Sequence, residues 1–287
     1  MRAFSYQRPT TIAEAVALLD RHGSEAQILA GGTDLVIGLR DDTIRPSVVV
    51  DLKRIPELRP SIGEKSGWLS ISAGTTMTQI SADPRIRRHF PALVEAADVV
   101  GSVQIRNRAT LAGNICNASP AADTAPPLFV FGARVVAEGL TGTRRVPVSE
   151  FFVRSGHTVL ERGELVAAIE IPVPLEPIGA AFLRLTRRRG TDLASITLCC
   201  GVEHSGVTRL AYGSVGPKPL LFVDESGVLA DPAAPGEAKE SMLAQMLAAA
   251  RPSPRSVRAS PEYRLAMLRL LAVRGLRAAI DRLGGEA

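Results

Sequence analysis

The sequence predicts an α+β chain of two domains, on three observations. At 287 residues it is long enough to bury two packed cores. Short apolar runs of strand length are interspersed with capped segments of helical periodicity. Pro172, Pro174, Pro177 and Gly179 then interrupt everything within a few residues, which marks the best linker in the chain. The expected division is 1–175 and 179–287.

The elements follow in order. Thr10 or Thr11 caps a helix whose Ile12, Val16, Leu18 and Leu19 repeat at helical spacing, with Glu14 completing a capping box and Gly23 as the stop. A strand over 27–30 ends at Gly31-Gly32, a helical or irregular turn spans 35–39, and 48–51 is a further strand. A hairpin joins 58–62 to 68–74 through the turn 63–67. Helices are expected over 77–80, 86–90 and 91–100. Paired strands 129–138 and 143–148 turn at 139–142, and 164–171 is the last strand before the linker. Beyond it, strands cover 180–184, 194–202, 207–214 and 220–223, and helices cover 237–249 and 261–283. The last has Ser260 as cap and Pro261 at its first position, and Leu265, Leu268, Ala272, Leu276, Ala279 and Leu283 line one core face. Trp68 reads as a packing residue on its strand.

Composition narrows the function classes. The apolar share is 46% and the charged share 22%, as in ordinary globular proteins. Aromatics are scarce, so no stacking platform for nucleic acid is visible. The net charge of +5 arises entirely from Arg251 onward, where eight Arg face three acids. Those arginines are spread through an apolar-periodic segment and read as a solvated or partner-facing surface. Cys116, Cys199 and Cys200 lack paired spacing, and His22, His89, His157 and His204 are scattered, so no metal site is expected. No signal region or membrane-length run occurs, and a cytoplasmic protein is expected.

Two segments carry the chemistry. The nineteen residues from Thr110 to Leu128 hold no Lys, Arg or Glu and a single Asp, Asp123. Such a stretch makes a poor solvated loop and a poor helix, and Pro120, Pro126 and Pro127 forbid continuous helix. Gly113 and Asn114 tolerate positive φ. Upstream, Ala30-Gly31-Gly32-Thr33-Asp34 follows a strand. Consecutive backbone N–H groups in a Gly-rich turn form an anion site without a basic side chain. Two facing turns of this kind suit a pyrophosphate, with Thr33 and Thr110 as added donors and Asp123 placed toward a hydroxyl-rich part of the ligand. There is no Walker-type loop, Rossmann fingerprint, nucleophile elbow or zinc helix, and no residue is a candidate catalytic nucleophile. A tightly held redox cofactor fits these loops better than hydrolysis.

At this point the chain resembles the FAD-binding (medium) subunit of the molybdenum hydroxylases, the family of xanthine dehydrogenase and aerobic carbon monoxide dehydrogenase. The resemblance rests on Phe4-x-Tyr6-x-x-Pro9, on Ala30 to Leu35, on Gln104 to Ile115 with Ser119-Pro120 and Asp123, and on Glu164 to Pro172. Arg187-Arg188, Asp192 to Ala194, Gly213 to Pro219 and Tyr263-Arg264 extend it into the second domain. It implies an FAD-binding fold of the vanillyl-alcohol-oxidase (PCMH) type, with subdomains of about 1–55 and 56–175, then a smaller α+β domain. It implies that FAD, held non-covalently, is bound by Leu29, Ala30, Gly31, Gly32, Thr33, Asp34 and Leu35, by Thr110, Leu111, Ala112, Gly113 and Asn114, and by Asp123, Val166 and Arg184. Electrons would arrive from [2Fe–2S] clusters on a small subunit, substrate would be hydroxylated at molybdopterin on a large subunit, and FAD would pass electrons to NAD+, a quinone or oxygen. The assembly implied is a dimer of heterotrimers. Three residues depart from the pattern: Ala112 where a second Gly is usual, Arg184 where some members have Lys, and Leu193 where some have Tyr. A stand-alone flavin oxidoreductase of the same fold, like the reductase of an enolpyruvyl sugar nucleotide, is the alternative; it needs its own acid–base residues, and none is evident.

Overall fold

The computed structural model describes residues 2–285. The chain opens with β1 (Ser5–Gln7), α1 (Ile12–His22), β2 (Ala26–Leu29), α2 (Leu35–Arg40) and β3 (Val48–Asp51). The strands form a parallel sheet of order β1-β3-β2. Central β3 is buried along its whole length, as a parallel strand covered on both faces must be. Thr11 caps α1, but the Glu14 carboxylate accepts from the Thr10 N–H, 2.7 Å, one residue outside the expected box. Gly23 ends the helix at φ +52°, a backbone that favours glycine.

The next portion runs β4 (Ile62–Lys65), β5 (Trp68–Ser72), α3 (Met77–Ala82), α4 (Pro84–His89), α5 (Pro91–Asp98), α6 (Val103–Arg106), α7 (Leu111–Cys116), α8 (Ala125–Val130), β6 (Arg134–Gly139), β7 (Gly142–Pro147), α9 (Val148–Phe151), β8 (Phe152–Arg154), β9 (His157–Thr158) and β10 (Leu165–Pro172). Its main sheet has the order β4-β5-β10-β6-β7 and antiparallel pairing throughout. Three expectations fail here. The hairpin turn is Ser66-Gly67 alone, both at positive φ, the geometry of a tight two-residue turn; β4 therefore runs through 62–65, and 56–58 is a 3-10 turn. Residues 129 and 130 lie in α8, not in a strand, because Pro126 and Pro127 occupy its first turn, where a missing N–H costs nothing. The expected irregular loop over 110–128 contains two short helical stretches, α7 and the first part of α8, joined by an irregular segment. Trp68 packs under the Arg134 guanidinium, whose carbon stands 3.5 Å from the ring centre.

The last portion is an antiparallel meander, β11 (Gly179–Leu185), β12 (Ile196–Val202), β13 (Thr208–Gly213) and β14 (Leu220–Asp224), followed by α10 (Gly236–Leu247) and α11 (Pro261–Leu283). Every residue of β12 is buried, because helices cover both faces of this sheet. Leu198 and Cys200 face α11, whereas Cys199 and Ala211 join the core of the preceding portion. Gly201 admits the Val130 side chain, and Gly275 of α11 admits Leu198 Cδ2, which a methyl group would meet at 2.8 Å. The expected apolar stripe of α11 holds: Leu268, Ala272, Leu276 and Ala279 are buried, and Leu265 and Leu283 pack beside them. One arginine departs from the expected solvated surface. Arg264 is 5% exposed, and its guanidinium donates to the carbonyls of Ser195 (3.1 Å) and Ser214.

Candidate functional site

A cleft of about 1270 Å³ is lined by residues from the parallel sheet, the main antiparallel sheet and the C-terminal meander. Its first wall is built by the turn after β2. Gly32 adopts φ +80°, and a methyl group there would stand 2.9 Å from Leu29 Cδ1. The Gly32 carbonyl accepts from Val36 N (3.0 Å) and the Asp34 carbonyl from Gly38 N (3.0 Å), which starts α2. The backbone N–H groups of Gly31, Gly32, Thr33 and Asp34 have no hydrogen-bond acceptor among the described residues. They are left free to bind something else.

The second wall is the entry to α7. Met77 N donates to Ala109 O (2.9 Å) and Leu111 N to Thr75 O (3.2 Å), which pins this segment to the start of α3. Thr110 caps α7 by accepting from Gly113 N at 3.0 Å, and a methyl group on Gly113 would crowd that hydroxyl at 2.9 Å. Asn114 Oδ1 accepts from the Thr124 hydroxyl at 2.6 Å, which ties α7 to the Asp123 segment. The two walls touch at one point. Gly31 lies so close to the Arg108 carbonyl that a methyl group would overlap its oxygen and stand 2.9 Å from its carbon. Only glycine allows that backbone approach.

Of the residues singled out in the sequence, Ala30, Gly31, Gly32, Thr33, Asp34, Leu35, Thr110, Ala112, Gly113, Asn114, Asp123, Val166 and Arg184 line this cleft. Leu29 and Leu111 do not line it. Leu111 is fully buried in the main core, and Leu29 packs against the cluster of Leu35, Leu39 and Val49. Sequence reasoning overlooked Val100, Gly101 and Arg258, which also line the cleft. Gly101 carried a signal, since a glycine before a Ser cap often marks a positive φ, and here it is +54°. Arg258 carried none.

Asp123, expected to face a hydroxyl-rich part of a ligand, lines the cleft and is also held from within the chain. Its carboxylate pairs with Arg184 Nε at 3.0 Å, and both side chains are about nine-tenths buried. The same guanidinium donates to Val99 O (3.3 Å) and Asp192 O, so Arg184 gathers three cleft-lining segments from both portions of the chain. Burial pushes the Asp123 carboxyl up to about 7, and the adjacent guanidinium offsets that only in part. Cys116 also lines the cleft, but desolvation pushes its thiol up to about 12, so it stays protonated and is no nucleophile at neutral pH. Among the described residues no three His, Cys, Asp or Glu side chains are grouped to hold a metal ion, and no helix is long and apolar enough to cross a membrane.

Comparison with known proteins bears on what fills such a cleft. The family described as the FAD binding domain in molybdopterin dehydrogenase matches residues 2–174, and the CO dehydrogenase flavoprotein C-terminal domain matches residues 181–279. The chain is similar to the xanthine dehydrogenase FAD-binding subunit of Escherichia coli O157:H7, at 32% identity over 98% of both chains. It is equally similar, at 32% over 96% of both chains, to the carbon monoxide dehydrogenase medium chain of Hydrogenophaga pseudoflava. The crystal structure of a Cu,Mo-CO dehydrogenase superposes with a TM-score of 0.90 at 30% identity, covering 97% of this chain and 98% of that one. Two walls that meet at Gly31, a run of unpartnered backbone N–H donors and these matches over nearly the full length agree: the chain belongs to the molybdenum hydroxylase family, as its FAD-binding subunit of the xanthine and CO dehydrogenase type.

Proposed function

We propose that the subunit relays electrons from [2Fe–2S] clusters on a small partner subunit, through its FAD, to NAD+, a quinone or oxygen. Substrate is hydroxylated at molybdopterin on a large partner subunit, and the whole forms a dimer of heterotrimers. The FAD-binding domain is 1–175, with subdomains of about 1–55 and 56–175, and the C-terminal domain is 179–287. The FAD diphosphate lies between 29–35 and 110–114, and Asp123, Val166 and Arg184 act on the rest of the cofactor. The observation that carries this reading is the contact of Gly31 with Arg108, which joins the two walls beside the free N–H groups.

FAD supplies the electron-transfer chemistry when bound. The chain's own part is binding, orientation and exclusion of water. Backbone donors hold a diphosphate without a basic side chain against it. The Asp123–Arg184 pair fixes the position of both side chains where they line the cleft. The flavin is held non-covalently, by the backbone donors and side chains of the cleft. Purification of the chain from its native host is expected to yield a complex containing FAD, iron, molybdenum and two further polypeptides. Recovery of a homogeneous, active chain without iron or molybdenum would overturn the electron-relay assignment.

A further inference from the structure

The segment between α10 and α11 places Arg258 on the C-terminal side of the cleft. Its Nε is buried without a hydrogen-bond partner, and among the described residues no carboxylate pairs with it. The neighbouring buried charge is another cation: the Arg258 guanidinium acts on Arg264, whose own ionisation is disfavoured first by burial and then by this repulsion. Arg184, a more deeply buried guanidinium of the cleft, already has a carboxyl partner in Asp123. Arg188 lines the cleft too, but it is exposed, so water screens it. Arg258 is thus a partly dehydrated cation with no counter-ion, facing the space where the cofactor binds. A folded chain that keeps such a charge leaves it favourable interaction with any anion that enters.

Resting on the assignment of FAD to this cleft, we propose that Arg258 is the cation that balances the negative charge the flavin acquires on reduction. The flavin ring of FAD takes up two electrons and one proton and becomes a monoanion, so the reduced ring carries one negative charge that the oxidised ring lacks, beside the unchanged charge of the diphosphate. A guanidinium held near that ring stabilises the reduced form preferentially and makes the bound cofactor easier to reduce. A guanidinium directed at the diphosphate instead would stabilise both forms alike, because the diphosphate charge does not change. The two uses of one anion site are therefore separable.

The test is FAD binding and potentiometry on the full chain, wild type against Arg258→Gln and Arg258→Lys, with dithionite as the electron donor. For Arg258→Gln, affinity for reduced FAD is expected to fall about tenfold more than affinity for oxidised FAD, a midpoint about 30 mV lower for a two-electron couple. Arg258→Lys, which keeps the charge, is expected to restore most of the difference. Equal weakening of both forms, or no change in either, overturns the inference and leaves the FAD assignment standing. Failure of the wild type to bind FAD at all removes both.

Discussion

Substituting Gly31 with alanine is expected to leave the chain folded but almost free of flavin. The new methyl group has nowhere to go: the atoms it meets are the Arg108 carbonyl and the Ala109 Cα, at 3.1 Å, both backbone. A flexible side chain could swing aside, but a peptide pinned by Ala109 O to Met77 N and by Leu111 N to Thr75 O cannot. The walls must part by about an ångström, at a cost of about 1–3 kcal/mol in stability. The larger effect falls on binding. The N–H groups of Gly31 to Asp34 would no longer point at the same place as the α7 entry, and each misdirected charge-assisted hydrogen bond costs about 1.5–3 kcal/mol. The ratio of visible flavin absorption to protein absorption is expected to fall to about a tenth of the wild-type value or less, with the unfolding midpoint only a few degrees lower. Gly31→Ala with full flavin content would show that the walls need not touch.

Arg184→Met is expected to be the most destabilising single change in the cleft. It removes the only cation that favours the charged form of the nine-tenths buried Asp123, so that carboxyl is pushed further up and left as a neutral acid without its guanidinium partner, at a cost of about 1–3 kcal/mol. It also releases Val99 O and Asp192 O, so the Gly101 segment and the loop bearing Leu193 lose a common anchor. Asp123 sets the pH dependence. Its folded-state value, about 7, lies above the ordinary 3.8, so between these the folded chain holds a proton that the unfolded chain has lost. Stability from this group is therefore greatest at the acid end of that window and declines as pH rises toward 7. The variant Asp123→Asn is expected to flatten that decline in the flavin-free chain, as urea midpoints at a series of pH values would show. An unchanged pH profile would mean that Asp123 is already ionised across the window.

Much of this was legible in the sequence, and the misses have identifiable physical causes. Helix α11 could be read from Ser260, Pro261 and the apolar stripe because its cap, its first turn and its core face all agree. The Gly31-Gly32 turn was legible for the same reason, since few residues besides glycine suit a strand that ends in free N–H groups. What local sequence could not show is that Gly31 meets Arg108, a contact created only when the first sheet docks against the entry to α7. The Pro126-Pro127 pair misled because proline stops a helix interior yet suits a first turn. The short apolar run over Phe129 and Val130 fits a strand as well as a buried helix; packing of α8 on the C-terminal sheet decides between them. Arg264 and Arg258 were counted as surface charge, because nothing near them in sequence reveals the carbonyls of Ser195 and Ser214 or the cleft wall.

Titration of the deflavinated chain with FAD, FMN and riboflavin bears most directly on the two walls closing around a diphosphate. FAD is expected to bind ~100-fold or more tighter than riboflavin, about 2.7 kcal/mol from hydrogen bonds to the diphosphate and contacts beyond it. Equal affinity for FAD and riboflavin would mean that the free N–H groups of Gly31 to Asp34 hold no phosphate, and would contradict the site as placed here.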